Sequence, residues 1–205
     1  MNILSIGAHP DDIEFGCGGT LIKYAKNKNG VYMFVATEGG FGGDAKIRKM
    51  EQMEAAKFIG VKEVFWAGLK DTEVEDNRQL ILKIEEIITK INPEIVFLNY
   101  PDDVHQDHRA LAQAGISASR YVREVLFYEV PTTQRFEPDI FVDIQDVMDD
   151  KLKLLQLHTS QVDKTRVKNL TILESAQSCA NFRGFQGRVK YAEGFKALRV
   201  LREIK

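Results

Sequence analysis

The chain has 205 residues, of which 44% are hydrophobic and 28% charged, and its formal net charge at pH 7 is −2. This size and composition predict one globular domain spanning residues 1–205 and exclude a mainly disordered chain. The scattered Lys and Arg residues exclude a typical nucleic-acid binder, and no apolar stretch approaches the roughly 20 residues of a membrane span, so we expect a cytoplasmic protein.

Strand and helix patterns alternate along the first part of the chain. Strands are predicted at "NILSIG", "VYMFVAT", "EVFWAG" and "EIVFLNY". Helices are predicted over residues 14–30, 46–60, 78–91 and 108–122. This alternation is typical of an α/β fold with a mostly parallel sheet and helices on both faces.

The pattern changes after "EVLFYEVP". The segment "DIFVDI" is compatible with a strand, and two helical stretches follow, "DVMDDKLKLLQLH" and "NLTILESAQSCANFRG". The last third is therefore expected to cover the sheet. We find no internal repeat and no linker that would mark a domain boundary.

Two polar loops carry three of the four histidines. "AHPDD" follows the first predicted strand and "PDDVHQDHRA" follows the fourth, and in a parallel sheet these are the ends at which ligands bind. His9 and Asp12 could bend toward one cation, which leaves Asp11 free as a base. The alternative is that Pro10 begins a turn and an aspartate caps the next helix.

Together the two loops offer a His₂Asp ligand set without cysteine. Such a set suits catalytic Zn²⁺ and also resembles the facial arrangement that binds Fe²⁺. The spacing alone leaves open whether His105 or His108 is the second imidazole ligand. Cys17 and Cys179 lack partners at metal-ligand spacing and are expected to be small buried residues.

A third loop, "TEGGFGGD", follows the second predicted strand. Its four glycines could cradle a phosphate, allow a substrate to approach the backbone, or have no ligand role. It is not a dinucleotide fingerprint, which would follow the first strand and open a helix.

Six stretches resemble one known family: "AHPDD", "TEGG", "RKMEQMEAAKFIGV", "HQDH", "LHTSQ" and "YAEGF". The chain is similar over nearly its whole length to the LmbE-like, or PIG-L type, metal-dependent N-acetylglucosamine deacetylases. The resemblance implies a Rossmann-like three-layer fold and the hydrolysis of an acetamide on a sugar.

The resemblance also implies a division of roles within the two polar loops. The implied metal ligands are His9, Asp12 and His108, with zinc favoured and Fe²⁺ as the alternative. Asp11 would be the general base and His105 the catalytic histidine. Asp107 would orient the His105 ring, as carboxylates often do for functional histidines.

Residues outside these loops are implied as substrate contacts. Arg48 corresponds to a family arginine that opens the helix after the Gly-rich loop and faces the pocket. Arg135 and Tyr191 are candidate oxyanion donors, placed by approximate spacing. His158 in "LHTSQ" has no ligand partner nearby and is interpreted as structural. Where some family members carry a tyrosine, this chain has Asp103, so substrate contacts there are open.

The function that the resemblance implies is zinc-dependent removal of an N-acetyl group from an N-acetylglucosamine-containing small molecule, with release of acetate. One alternative is a metal-dependent hydrolase of another amide or ester bond. The other is a non-catalytic sugar- or nucleotide-binding module in which the His and Asp residues only form turns. The sequence leaves the aglycone and the oligomeric state open, a homo-oligomer included.

Overall fold

The computed structural model describes residues 1–202, so residues 203–205 of the predicted domain lie outside it. The strands in the described part are β1 Asn2–Gly7, β2 Gly30–Thr37, β3 Glu63–Leu69, β4 Ile95–Asn99, β5 Glu124–Tyr128, β6 Ile140–Asp143 and β7 Ala192–Arg199. The helices there are α1 Asp12–Lys26, α2 Ala45–Ile59, α3 Arg78–Ile91, α4 Gln106–Ala118, α5 Met148–Gln156 and α6 Ile172–Gly187.

The seven strands form one sheet in the order β3-β2-β1-β4-β5-β7-β6. The first five strands in this order run parallel, and β1 pairs with β4 through partners such as Ile6 and Leu98. Strands β2 and β3 extend the sheet on one side of β1, and β4 and β5 extend it on the other side. The loops after β1 and β4 therefore flank the crevice at which open α/β sheets bind ligands.

The helices cover both faces of the sheet, each over its own apolar core. One core lies under α1, α2, α5 and α6 and includes Phe97, Tyr128 and Phe195. The other lies under α3 and α4 and includes Phe34 and Leu98. The predicted α/β fold, with three layers and a mostly parallel sheet, is confirmed.

The last third does more than cover the sheet. Strand β7 pairs antiparallel with β5, and β6 pairs antiparallel with β7 at the sheet edge. The sequence did not reveal β7 because Glu193 and Gly194 are weak strand formers. The buried Glu193 carboxylate instead accepts hydrogen bonds from the α1 amides of Gly19 and Thr20 and pairs with Lys151.

None of the helices within residues 1–202 is long and apolar enough to cross a bilayer. Cys17 is fully buried in the first core, as expected, and lies 3.2 Å from the Ser5 hydroxyl. Cys179 is only partly buried, on α6.

Candidate metal-binding active site

Three ligand-type atoms converge where β1 and β4 end. His9 Nδ1 lies 3.2 Å from His108 Nε2, and Asp12 Oδ2 lies 3.6 Å from His9 Nδ1 and 3.2 Å from His108 Nε2. Zinc bonds of about 2.0–2.1 Å in tetrahedral geometry place ligand atoms about 3.3 Å apart. The three side chains therefore fit a metal ion of this kind.

The turn "AHPDD" is built around Asp12 rather than around a helix cap. Asp12 Oδ2 accepts a hydrogen bond from the His9 amide at 3.0 Å, which orients the carboxylate. Asp11 occupies the N-cap position of α1, but its side chain makes no capping hydrogen bond. The structure thus disfavours the interpretation of these aspartates as caps.

Carboxylates hold the far side of the ring of each ligand histidine. His9 Nε2 lies 3.0 Å from Asp71 Oδ1 and 3.1 Å from Asp107 Oδ2. His108 Nδ1 lies 3.2 Å from Asp103 Oδ2. Contacts of this kind fix the orientation and tautomer of a metal-binding imidazole.

The placement of Asp107 corrects the expectation that it orients His105. Its fully buried carboxylate contacts His9 and accepts the amides of Thr72 and Val74, at 2.8 and 3.3 Å. Asp107 lies in the first turn of α4, which follows β4, and His9 follows β1. The two residues meet because β1 and β4 are neighbours in the sheet.

Asp107→Asn is therefore expected to weaken metal binding by about 10- to 100-fold, the usual effect of losing a carboxylate partner of a ligand histidine. Titration of the metal against a competing chelator measures it. Asp102→Asn, the same substitution at a carboxylate of the same loop that pairs with Arg135, is the matched control. Equal affinities in the two variants would remove Asp107 from this role.

The charge balance of the cluster favours a cation. Burial opposes protonation of His108, but Asp12 and Asp103 outweigh it and raise its pKa to about 9. Burial likewise opposes protonation of His9, and hydrogen bonds to Asp107, Asp12 and Asp71 raise its pKa well above the usual range. Divalent metal binding would replace these protons, as at other imidazole sites.

His105 has a different environment from His108. It is the N-cap of α4, and its Nδ1 accepts the Asp107 amide at 3.2 Å. This hydrogen bond assigns the ring proton to Nε2. The His105 ring stacks on His108 at 4.7 Å between centroids, and burial together with the charges of His9 and His108 lowers the pKa of His105. His105 is thus a neutral N–H donor, and one ring nitrogen from each of His9, His105 and His108 lies within 4.8 Å of the others.

Asp11 lines a cavity that opens over the three histidines, and about a quarter of its side chain is exposed. Burial raises the pKa of Asp11 to about 6; the Arg48 charge opposes this shift and the Asp12 charge adds to it. A carboxylate with a pKa near the working pH is suited to proton transfer.

Arg48 packs against two of the four glycines of the Gly-rich loop, Gly39 and Gly42. Its Nη1 donates to Gly39 O at 2.8 Å, and its Nη2 donates to Pro10 O at 2.7 Å and to Asp11 Oδ2 at 3.3 Å. Gly39 has a φ of +67°, and a Cβ on it would lie 2.1 Å from Nη1. The loop therefore makes room for the guanidinium group, which joins this loop to the "AHPDD" turn.

A cavity of 710 Å³ opens over the cluster, within the range of about 300–1,000 Å³ that is usual for ligand sites. It is lined by His9, Asp11, Asp12, Arg48, His105 and His108 among others. Residues of the segment 161–175 also line it, and a hydrogen bond of 2.6 Å from Lys164 Nζ to Gly42 O joins this segment to the Gly-rich loop.

The structure places neither Arg135 nor Tyr191 at this cavity. Arg135 is exposed in a turn with φ of 47°, and the Asp102 carboxylate holds its guanidinium at 2.6 and 2.9 Å. Tyr191 precedes β7 and its hydroxyl accepts a hydrogen bond from Gln177 of α6 at 3.4 Å. Arg135 lies in the loop between β5 and β6, and Tyr191 lies between α6 and β7.

Sequence reasoning missed two carboxylates of the cluster, Asp71 and Asp103. Asp71 follows β3, so the rule that polar residues gather after parallel strands could have found it. Asp103 was visible only as a departure from the family pattern. The structure shows that the Asp103 carboxylate contacts the ring of His108.

His158 lies behind the site and does not line the cavity. It is 1% exposed, and neither ring nitrogen has a hydrogen-bond partner within residues 1–202. Its Nε2 lies 3.6 Å from Glu14 Oε2. Burial lowers the pKa of His158 from 6.5 to about 4, although the Glu51 charge opposes the shift.

This burial predicts a pH-dependent contribution to stability. Unfolded His158 takes up a proton below pH 6.5, whereas the folded side chain stays neutral to about pH 4. We compare the unfolding free energies of the wild type and of His158→Phe. Their difference, wild type minus variant, is expected to fall by about 3 kcal/mol from pH 7 to pH 4. Urea unfolding with chelator present measures it. Parallel pH profiles would contradict the burial of a neutral imidazole.

The family described as PIG-L, GlcNAc-PI de-N-acetylase, matches residues 4–119, more than half of the chain. The chain belongs to the PIG-L family. It is 36% identical over 167 residues to YaiS of Escherichia coli, an uncharacterized deacetylase, covering 77% of this chain and 90% of that protein.

Two further relatives are described by the substrate that each deacetylates. A probable N-acetyl-alpha-D-glucosaminyl L-malate deacetylase 2 of Bacillus cereus is 31% identical, covering 79% of this chain and 84% of that protein. The solved structure of the N,N'-diacetylchitobiose deacetylase of Pyrococcus horikoshii is 27% identical with a TM-score of 0.85, covering 96% of this chain and 83% of that one. The predicted family is confirmed, and these three relatives are described as deacetylases, which are hydrolases of amide bonds and belong to the predicted enzyme class.

Proposed function

We propose that this PIG-L protein removes the acetyl group from an N-acetylglucosamine-containing small molecule in a zinc-dependent hydrolysis. The observation that carries the proposal is the convergence of His9, Asp12 and His108 at 3.2–3.6 Å, beside Asp11 in one cavity. Fe²⁺ is the alternative metal, because a His₂Asp set with open positions suits both ions.

A bound metal ion supplies Lewis-acid polarisation of the acetyl carbonyl and lowers the pKa of water. Asp11 accepts the proton of the water molecule that attacks the carbonyl carbon. The new C–O bond makes a tetrahedral oxyanion on the substrate. Asp11 then returns the proton to the sugar nitrogen, the C–N bond breaks, and acetate and the free amine leave.

His105 stabilises the oxyanion as a neutral hydrogen-bond donor. Its Nδ1 is occupied by the Asp107 amide, so Nε2–H is the group left to donate. A donor of this kind typically contributes about 10²–10³ in rate. In this proposal the His105 ring is oriented by the Asp107 amide, because the Asp107 carboxylate contacts His9.

The names of the relatives support the substrate class. N,N'-diacetylchitobiose and N-acetylglucosaminyl malate share an N-acetylated glucosamine and differ in what is attached to it. Arg48 lines the cavity beside Asp11 and is the residue that we assign to substrate binding. We extend the shared sugar, and not either aglycone, to this chain.

Acetate release from N-acetylglucosamine, diacetylchitobiose and N-acetylglucosaminyl malate, each with added Zn²⁺ or Fe²⁺, tests the function. We expect release from at least one of them, abolished by a chelator and restored by metal. Metal binding without cleavage of any N-acetylated sugar would favour hydrolysis of another amide or ester. A protein that binds neither metal would favour a sugar- or nucleotide-binding module.

A further inference from the structure

The backbone of Asp11 is strained. Its φ of 90° and ψ of −23° lie in the left-handed region, which costs a residue other than glycine about 1–3 kcal/mol unless its surroundings hold it there. Residues in such conformations concentrate at functional sites. The contacts that hold Asp11 are therefore part of how its carboxylate is placed.

Helix α2 supplies these contacts from one face. Arg48 and Gln52 are four residues apart, so their side chains project side by side. Gln52 Oε1 accepts the Asp11 amide at 3.3 Å, and Arg48 Nη2 donates to Pro10 O at 2.7 Å. The two hydrogen bonds thus hold the Pro10–Asp11 peptide group, one at its N–H and the other at its carbonyl oxygen.

The Gln52 amide can adopt only one orientation that satisfies its neighbours. Its Nε2 donates to Glu14 Oε1 at 2.5 Å, while its Oε1 faces the N–H of Asp11. A flipped amide would set its NH₂ group against the N–H of Asp11, so that two donors face each other. Because Gln52 is fully buried, an unpaired polar group there would be costly.

Gln52 does not line the cavity and so does not contact a bound substrate. We propose that Gln52 is a positioning residue, held by Glu14, that fixes the Asp11 backbone and thereby places the Asp11 carboxylate for proton transfer. This inference rests on the proposed role of Asp11 as the general base.

A double-mutant cycle on the metal-loaded enzyme tests the proposal. Gln52→Met keeps the length of the side chain and removes the amide acceptor. We expect it to lower kcat about tenfold, as loss of one neutral hydrogen bond allows, with KM and metal content unchanged. In the Asp11→Asn background the same substitution should change kcat less than twofold, because residues that act through one group are not additive.

Amide hydrogen exchange provides a readout that needs no substrate. NMR of the Gln52→Met protein should show at least tenfold faster exchange at Asp11, with the amides in the interior of α3 unchanged. Ile84→Val is the matched control: Ile84 is fully buried in the other core, under α3, so this variant loses stability without touching the turn. It should change neither kcat nor exchange at Asp11.

The possible failures can be told apart. Near-normal turnover in Asp11→Asn would remove Asp11 as the base and reject the proposed function. Loss of turnover in Asp11→Asn, together with equal effects of Gln52→Met in both backgrounds, would overturn the positioning role alone. Unchanged exchange at Asp11 in Gln52→Met would overturn it whether or not a substrate had been found.

Discussion

Asp11→Asn is expected to lower the rate of acetate release by about 10²–10⁴, the usual contribution of a general base, while the bound metal is retained. The amide keeps the shape of the carboxylate but cannot accept the proton of the attacking water. Single-turnover rates measured at equal metal content test this expectation.

The substitution should leave the local structure intact. Asn tolerates the left-handed backbone as Asp does, and the amide of residue 11 still donates to Gln52. Asp102→Asn serves as the control, because Asp102 pairs with Arg135 away from the cavity. Metal loss in Asp11→Asn would mean that the side chain contributes to binding and that the rate does not report proton transfer.

His108→Ala is expected to lose metal and activity together. It removes one of three atoms that lie 3.2–3.6 Å apart, and it leaves the Asp12 carboxylate without its nearest imidazole. The loss of affinity should exceed the roughly 10- to 100-fold that loss of an outer carboxylate partner causes. Metal content after dialysis, and activity as a function of added metal, measure both effects.

His105→Ala is the matched comparison on the same loop. His105 caps α4 and donates from Nε2 in the proposed mechanism, so this variant should keep its metal and lose about 10²–10³ in kcat. Metal loss in His105→Ala together with retention in His108→Ala would reverse the two assignments.

The sequence by itself determined the layered fold and the location of the site. Strands β1 to β5 and the six helices within residues 1–202 coincide with apolar runs or helical periodicity, because each must bury one face whatever its neighbours are. The carboxyl ends of parallel strands collect ligands, so "AHPDD" and "HQDH" already indicated a common site. The family resemblance supplied the division of roles among their residues.

Only the tertiary structure decided which side chains contact one another. Strand β1 lies beside β4, although paired residues such as Ile6 and Leu98 are 92 positions apart in the chain. This adjacency places the Asp107 carboxylate against His9 rather than against His105. Distant segments also meet where Asp71, which follows β3, contacts His9, and where Gln52 of α2 contacts the Asp11 amide. Hydrogen bonds are short and directional, so they depend on packing between distant segments, which local sequence patterns do not encode.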